Sequence, residues 1–108
     1  MGSNRVIITV MGGADDGKVF SLDKTTFMLG RHPDDDVCLP YDTRVSRHHA
    51  RITCEGSSYL IEDVGSEGKG SINGTYINDS TRKTAGKVGV SSGDMILLGG
   101  VWVRFEAK

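Results

Sequence analysis

Apolar residues recur at every second position along most of the chain. Val6, Ile8 and Val10 alternate; so do Phe27 and Leu29, then Ala50, Ile52 and Cys54. Near the end, Val101, Val103 and Phe105 fall on one side while Trp102 and Arg104 fall on the other. Period two is the pattern of a half-buried β-strand. Between the runs lie Gly12-Gly13, Asp16-Gly17, Glu55-Gly56-Ser57-Ser58, Asn78-Asp79-Ser80, Ser91-Ser92-Gly93-Asp94 and Gly99-Gly100. These are turn sequences, and Asp16-Gly17 predicts a hairpin corner. No window carries an amphipathic helix. About ten to eleven short strands broken by such turns predict an all-β fold, a two-sheet β-sandwich. Its inward residues would form the core and its loops would gather at the ends, exposed but rigidly held. The longest loops are expected at 40–45 and 63–72, both polar.

A chain of 108 residues suits one domain rather than two. Residues 1–4 read as an N-terminal tail or a cloning remnant, and 5–107 as the domain. The 15 glycines follow no repeat, which fits many turns and not a fibre. Thirteen basic against fourteen acidic residues give a net charge of -1, without the basic excess that nucleic-acid binding needs. Arginine is nevertheless concentrated locally, at 31, 44, 47 and 51, so a small positive concavity fits within a neutral total. No apolar run is long enough to cross a bilayer, and no signal peptide is visible. Cys38 and Cys54 sit among apolar neighbours without metal-ligand spacing and read as buried, reduced thiols of a cytoplasmic protein.

The chemistry concentrates in Gly30 to Ala50, "GRHPDDDVCLPYDTRVSRHHA". Ser46 with His48 or His49 and one of Asp34, Asp35 or Asp36 could be written as a catalytic triad. The strand-to-helix elbow that exposes a nucleophilic serine is missing, and Ser46 stands before a strand. His48 and His49, being adjacent, would point to opposite faces of a strand and could not readily share a metal. An anion fits better. Phosphate is held by guanidinium groups, a hydroxyl and backbone N–H groups converging from separate loops. Arg31 ends one strand and Ser46-Arg47 enter another, an arrangement a sandwich can close.

Gly30-Arg31, Ser46-Arg47-His48-His49-Ala50 and Asn73-Gly74-Thr75, in that order and spacing, resemble the forkhead-associated (FHA) domain. Asp36-Val37-Cys38-Leu39, Val45, Asp63-Val64, Gly93-Asp94-Met95-Ile96 and Leu98-Gly99 extend the likeness from about residue 5 to 105. The resemblance implies an FHA/SMAD-like β-sandwich that binds phosphothreonine in proteins of serine/threonine kinase pathways, with neither catalysis nor a cofactor or metal. It implies no nucleic acid or membrane as partner. Arg31, Ser46 and Arg47 would then hold the phosphate and Asn73 the backbone of the bound segment. Gly30, Gly74 and Thr75 would shape the loops, and His49 would brace them from inside. His48 takes a variable position and is expected to face solvent from a strand.

Two departures stand out. The turn between Asp63 and Asn73 is lengthened to "VGSEGKGSI", and Ile72 occupies a position where the family often has a phosphate-contacting threonine. Auxiliary phosphate contacts are therefore expected from Lys69, Ser71 and the Ile72 backbone N–H. The alternative function is a phosphate-independent interaction or assembly domain using another face, with Trp102 as its marker.

Overall fold

The computed structural model describes residues 5–65, 70–81 and 83–108. Ten strands form: β1 Val6–Val10, β2 Val19–Leu22, β3 Thr26–Gly30, β4 Val37–Cys38, β5 Ala50–Glu55, β6 Ser58–Asp63, β7 Thr75–Ile77, β8 Lys87–Val90, β9 Met95–Leu98 and β10 Val101–Ala107. They make two five-stranded sheets, ordered β2-β1-β10-β9-β7 and β4-β3-β5-β6-β8. Every pairing is antiparallel except β3 with β4. The all-β sandwich that the alternation predicts is the fold, and no described residue is helical.

Alternation becomes burial directly. Val6, Ile8 and Val10 point inward from β1, Val103 and Phe105 from β10, and all five are buried. Phe27, Leu29, Ala50, Ile52 and Ile61 answer them from the other sheet. Tyr59 of β6 meets Phe105 edge-on across the gap, with ring centroids 5.3 Å apart. Side chains interdigitating in this way fix how the two sheets stack, and thereby the position of every loop at their ends.

The expected hairpin joins β1 to β2. Its closing bonds run from Gly17 N–H to Val10 O and from Val10 N–H to Lys18 O, so Asp16-Gly17 forms its corner. Trp102 lies on the outer face of its sheet, half-buried beside Met11, Asn78 and Met95. The two thiols need correction. Cys38 and Cys54 form no disulfide and are only half-buried, and their thiols lie toward the Arg31 and Gly56 carbonyls at 4.0 and 3.4 Å. No helix among the described residues is long and apolar enough to cross a membrane.

β6 and β7 belong to different sheets, so the chain between them crosses the sandwich end. There it passes the turns that follow β3 and β4.

Candidate functional site

Three connections meet at this end: β3–β4, β4–β5 and β6–β7. Arg31, the first residue after β3, gives its backbone N–H to Ser46 O at 3.1 Å and its side-chain Nε–H to Val45 O at 2.9 Å. One edge of the guanidinium is thus fixed. Its remaining donors have no partner, and it forms no ion pair, among the described residues. The half-buried stem limits how far this charge can wander.

Ser46 is held from three directions. Its carbonyl receives Arg31, its N–H donates to His49 Nδ1 at 3.0 Å, and its Oγ accepts the Ile72 N–H at 3.2 Å. An acceptor position of the hydroxyl is filled from within, so its own hydrogen remains to be donated outward. Neither imidazole bonds Ser46 Oγ. Arg47 follows on the exposed side of the same turn. Asn73, exposed, donates from Nδ2 to Arg44 O at 2.8 Å, which ties the β6–β7 loop to the β4–β5 loop. Arg31, Ser46, Ile72 and Asn73 are therefore brought together, with Arg47 beside them in sequence.

His49 lies beneath, with no exposed surface. Since Nδ1 accepts from Ser46, the ring proton is on Nε2, which donates to Gly74 O at 2.8 Å. One neutral imidazole thus spans two loops. Burial pushes its pKa below 6.5, against the opposing influence of the Gly74 carbonyl and of Asp63. Asp63 Oδ2 is 3.8 Å from Nε2 and accepts the hydroxyls of Ser71 at 2.6 Å and Thr75 at 2.7 Å. Burial alone would raise the Asp63 carboxyl; those two hydroxyls and the Ser71 N–H outweigh it and hold the pKa below 3.8.

Both groups release protons more readily folded than unfolded, so both favour the fold above their unfolded pKa values and lose that contribution on acidification. For His49 the loss begins below pH 6.5 and continues down through its lower folded value; for Asp63 it begins below 3.8. We expect the imidazole of His49, followed by NMR in the folded protein, to titrate with a midpoint below 6.5. A midpoint at or above that value would rule out the buried neutral brace.

Gly74 has φ +82°, a left-handed conformation that larger residues adopt only under strain. At Gly30 the reason is proximity: a Cβ would lie 2.6 Å from His48 N and 2.8 Å from His49 N.

Several sequence expectations change. Ser71 cannot serve as an outward donor, because its hydroxyl hydrogen goes to Asp63 while its oxygen accepts Gly74 N–H at 2.9 Å. The Ile72 N–H is directed to Ser46 Oγ and not to the open side of the site. Lys69 lies outside the described residues. His48 is in a turn, with φ +53°, before β5 begins. Nor does it simply face solvent: its Nδ1–H donates to Asp35 Oδ1 at 2.6 Å and its ring stacks against His32 at 4.8 Å. The arginine cluster also divides. Arg44 pairs with Asp42 at 2.8 Å and Arg51 with Glu62 at 2.8 Å, whereas Arg31 forms no ion pair among the described residues.

Asp35 is the supporting residue that sequence reasoning missed. Its side chain is buried, and its Oδ2 accepts the N–H groups of His32 and His48, both at 3.1 Å. It thereby staples the turn bearing Arg31 to the turn bearing Ser46. A run of three aspartates just after Pro33 was the available signal, but nothing in the bare sequence singles out Asp35 among Asp34, Asp35 and Asp36.

The family model "FHA domain" matches residues 27–99. The glycogen accumulation regulator GarA of Mycolicibacterium smegmatis is 37% identical over 97 residues, covering 90% of this chain and 56% of that protein. The oxoglutarate dehydrogenase inhibitor of Corynebacterium jeikeium is 40% identical over 93 residues, covering 86% and 58%. The chain thus spans a little over half the length of these relatives. Among solved structures, a chain from a structural and functional analysis of phosphothreonine-dependent FHA domain interactions superposes with a TM-score of 0.76. It is 28% identical, and the match covers 94% of this chain and 95% of that one.

Proposed function

The chain belongs to the FHA domain family, and on that basis we propose that it is a non-catalytic reader of phosphothreonine in partner proteins of serine/threonine kinase signalling. The observation that carries this reading is the Arg31 guanidinium, anchored by one edge on Val45 O while its other donors stay unpartnered among the described residues. Beside it the Ser46 hydroxyl has a proton to give, and two charge-assisted bonds from Arg31 plus one from Ser46 suit a phosphate dianion. Arg47 adds positive charge to the same turn. Asn73, whose Oδ1 has no partner among the described residues, is placed to bond the main chain of an extended segment. Gly30, His49, Gly74 and Thr75 act as the frame.

The binding unit is assigned to residues 5–107, because β1, β2 and β10 supply three of the five strands of one sheet. The unbridged thiols are consistent with a reducing cytoplasmic setting. The likeness to GarA and to the oxoglutarate dehydrogenase inhibitor supports a regulatory role in place of catalysis.

The test is calorimetric titration with matched peptides bearing threonine, phosphothreonine or phosphoserine. Phosphothreonine peptides should bind near micromolar affinity, about -8 kcal/mol, and unmodified ones should not bind measurably. Equal affinity for modified and unmodified peptides would overturn the reading.

A further inference from the structure

Ile72 is 90% exposed, more than any other large apolar residue among those described. A single exposed apolar side chain is ordinary, but this one is held in place on both sides. Ser71 is pinned by Asp63, the Ile72 N–H by Ser46 Oγ, the Asn73 side chain by Arg44 O, and the Gly74 N–H by Ser71 Oγ. The backbone is thus fixed so that a stiff β-branched side chain projects into water from the rim of the site. Tyr41, the next most exposed at 71%, rises from the β4–β5 loop, the loop to which Asn73 is bonded. The two most solvent-exposed large apolar residues therefore belong to the two loops that this hydrogen bond joins.

Resting on the phosphopeptide reading above, we propose that Ile72 is a specificity-determining residue, selecting partner segments with an apolar side chain within two residues of the phosphorylated position. The distance limit follows from the bond to Ser46 Oγ. That bond keeps the Ile72 main chain one hydrogen bond from a hydroxyl directed at the phosphate, so the side chain reaches only the nearest neighbours of the phosphoresidue. Covering it removes apolar surface from water on both partners, and its single preferred rotamer leaves little conformational freedom to lose.

The test uses a phosphothreonine peptide with serine at the two positions on either side, and four derivatives carrying one leucine each. Each peptide and its unphosphorylated counterpart is titrated against the wild-type protein, Ile72→Ser, Ile72→Val and Arg31→Ala, and the leucine-to-serine affinity ratio is compared within each protein. At one position the ratio should reach about 5 to 10 in the wild type, stay above about 3 in Ile72→Val, and fall to about 1 in Ile72→Ser. The internal ratio cancels any general weakening caused by the substitution. No leucine position above about twofold, or a gain that persists in Ile72→Ser, overturns the proposal. A leucine gain that needs Ile72 but persists without phosphate and in Arg31→Ala overturns the phosphate reading and leaves the Ile72 contact standing. Failure of every phosphopeptide to bind overturns both.

Discussion

Arg31→Ala should weaken binding of a phosphothreonine peptide by at least about 100-fold while leaving the domain folded. Charge-assisted hydrogen bonds contribute roughly 1.5–3 kcal/mol each, so two of them account for about 3 kcal/mol or more, and every 1.4 kcal/mol is about tenfold. Arg31 lends the fold only its Nε–H bond to Val45 O and a half-buried stem. Its removal should therefore lower unfolding stability by about 1 kcal/mol at most. Arg31→Lys should recover only a small part of the affinity, because an ammonium group cannot hold Val45 O and present a flat fork to phosphate together. Titration calorimetry with circular dichroism measures both quantities. Phosphopeptide affinity within a few-fold of wild type in the alanine variant would remove Arg31 from the site.

His49→Ala should do the reverse, acting first on stability. The imidazole has no exposed surface, and its loss leaves a void together with the unpartnered Ser46 N–H and Gly74 carbonyl. Void and unsatisfied groups combined should cost about 3–4 kcal/mol, a large share of the 5–15 kcal/mol or so that small domains possess. In urea the midpoint should fall while the slope stays unchanged, since the surface exposed on unfolding hardly differs. A loss below about 1 kcal/mol would show that the loops are held by other means. Phosphopeptide affinity should drop as well, because Ser46 and the turn that carries Asn73 would be held together only by the Ile72 N–H bond to Ser46 Oγ and the Asn73 bond to Arg44 O.

The strands were legible because each one buries a single face, and a single buried face writes itself as alternation: Val6, Ile8 and Val10 read the same in sequence and in structure. The ends of the strands were legible through turn residues, as at Asp16-Gly17. The partners of individual polar atoms were not legible. Arg51 and Glu62 meet because β5 and β6 pair in the register that the Gly56-Ser57 turn sets, a register that period-two alternation alone does not give. Ser71 looked like an outward donor because it adjoins Ile72, yet Asp63, eight residues earlier, accepts its hydroxyl hydrogen bond. His48 was assigned to a strand by continuity with Ala50, and the bonds to Asp35 hold it instead in a left-handed turn. In each case the deciding partner is eight or more residues away and comes close only once the strands have paired and the loops have closed.

Three of the bonds that hold the site together end on main-chain oxygens: His49 on Gly74, Asn73 on Arg44, and Arg31 on Val45. A carbonyl is supplied by whatever residue occupies the position. The side chain at 44 can drift through mutation without disturbing the bond that Asn73 makes there, and the same holds for the exposed side chain at 72, whose amide serves Ser46 for any residue except proline. Lineages carrying this frame can therefore explore new recognition preferences by single substitutions at the rim, each viable on its own, without passing through an unfolded ancestor.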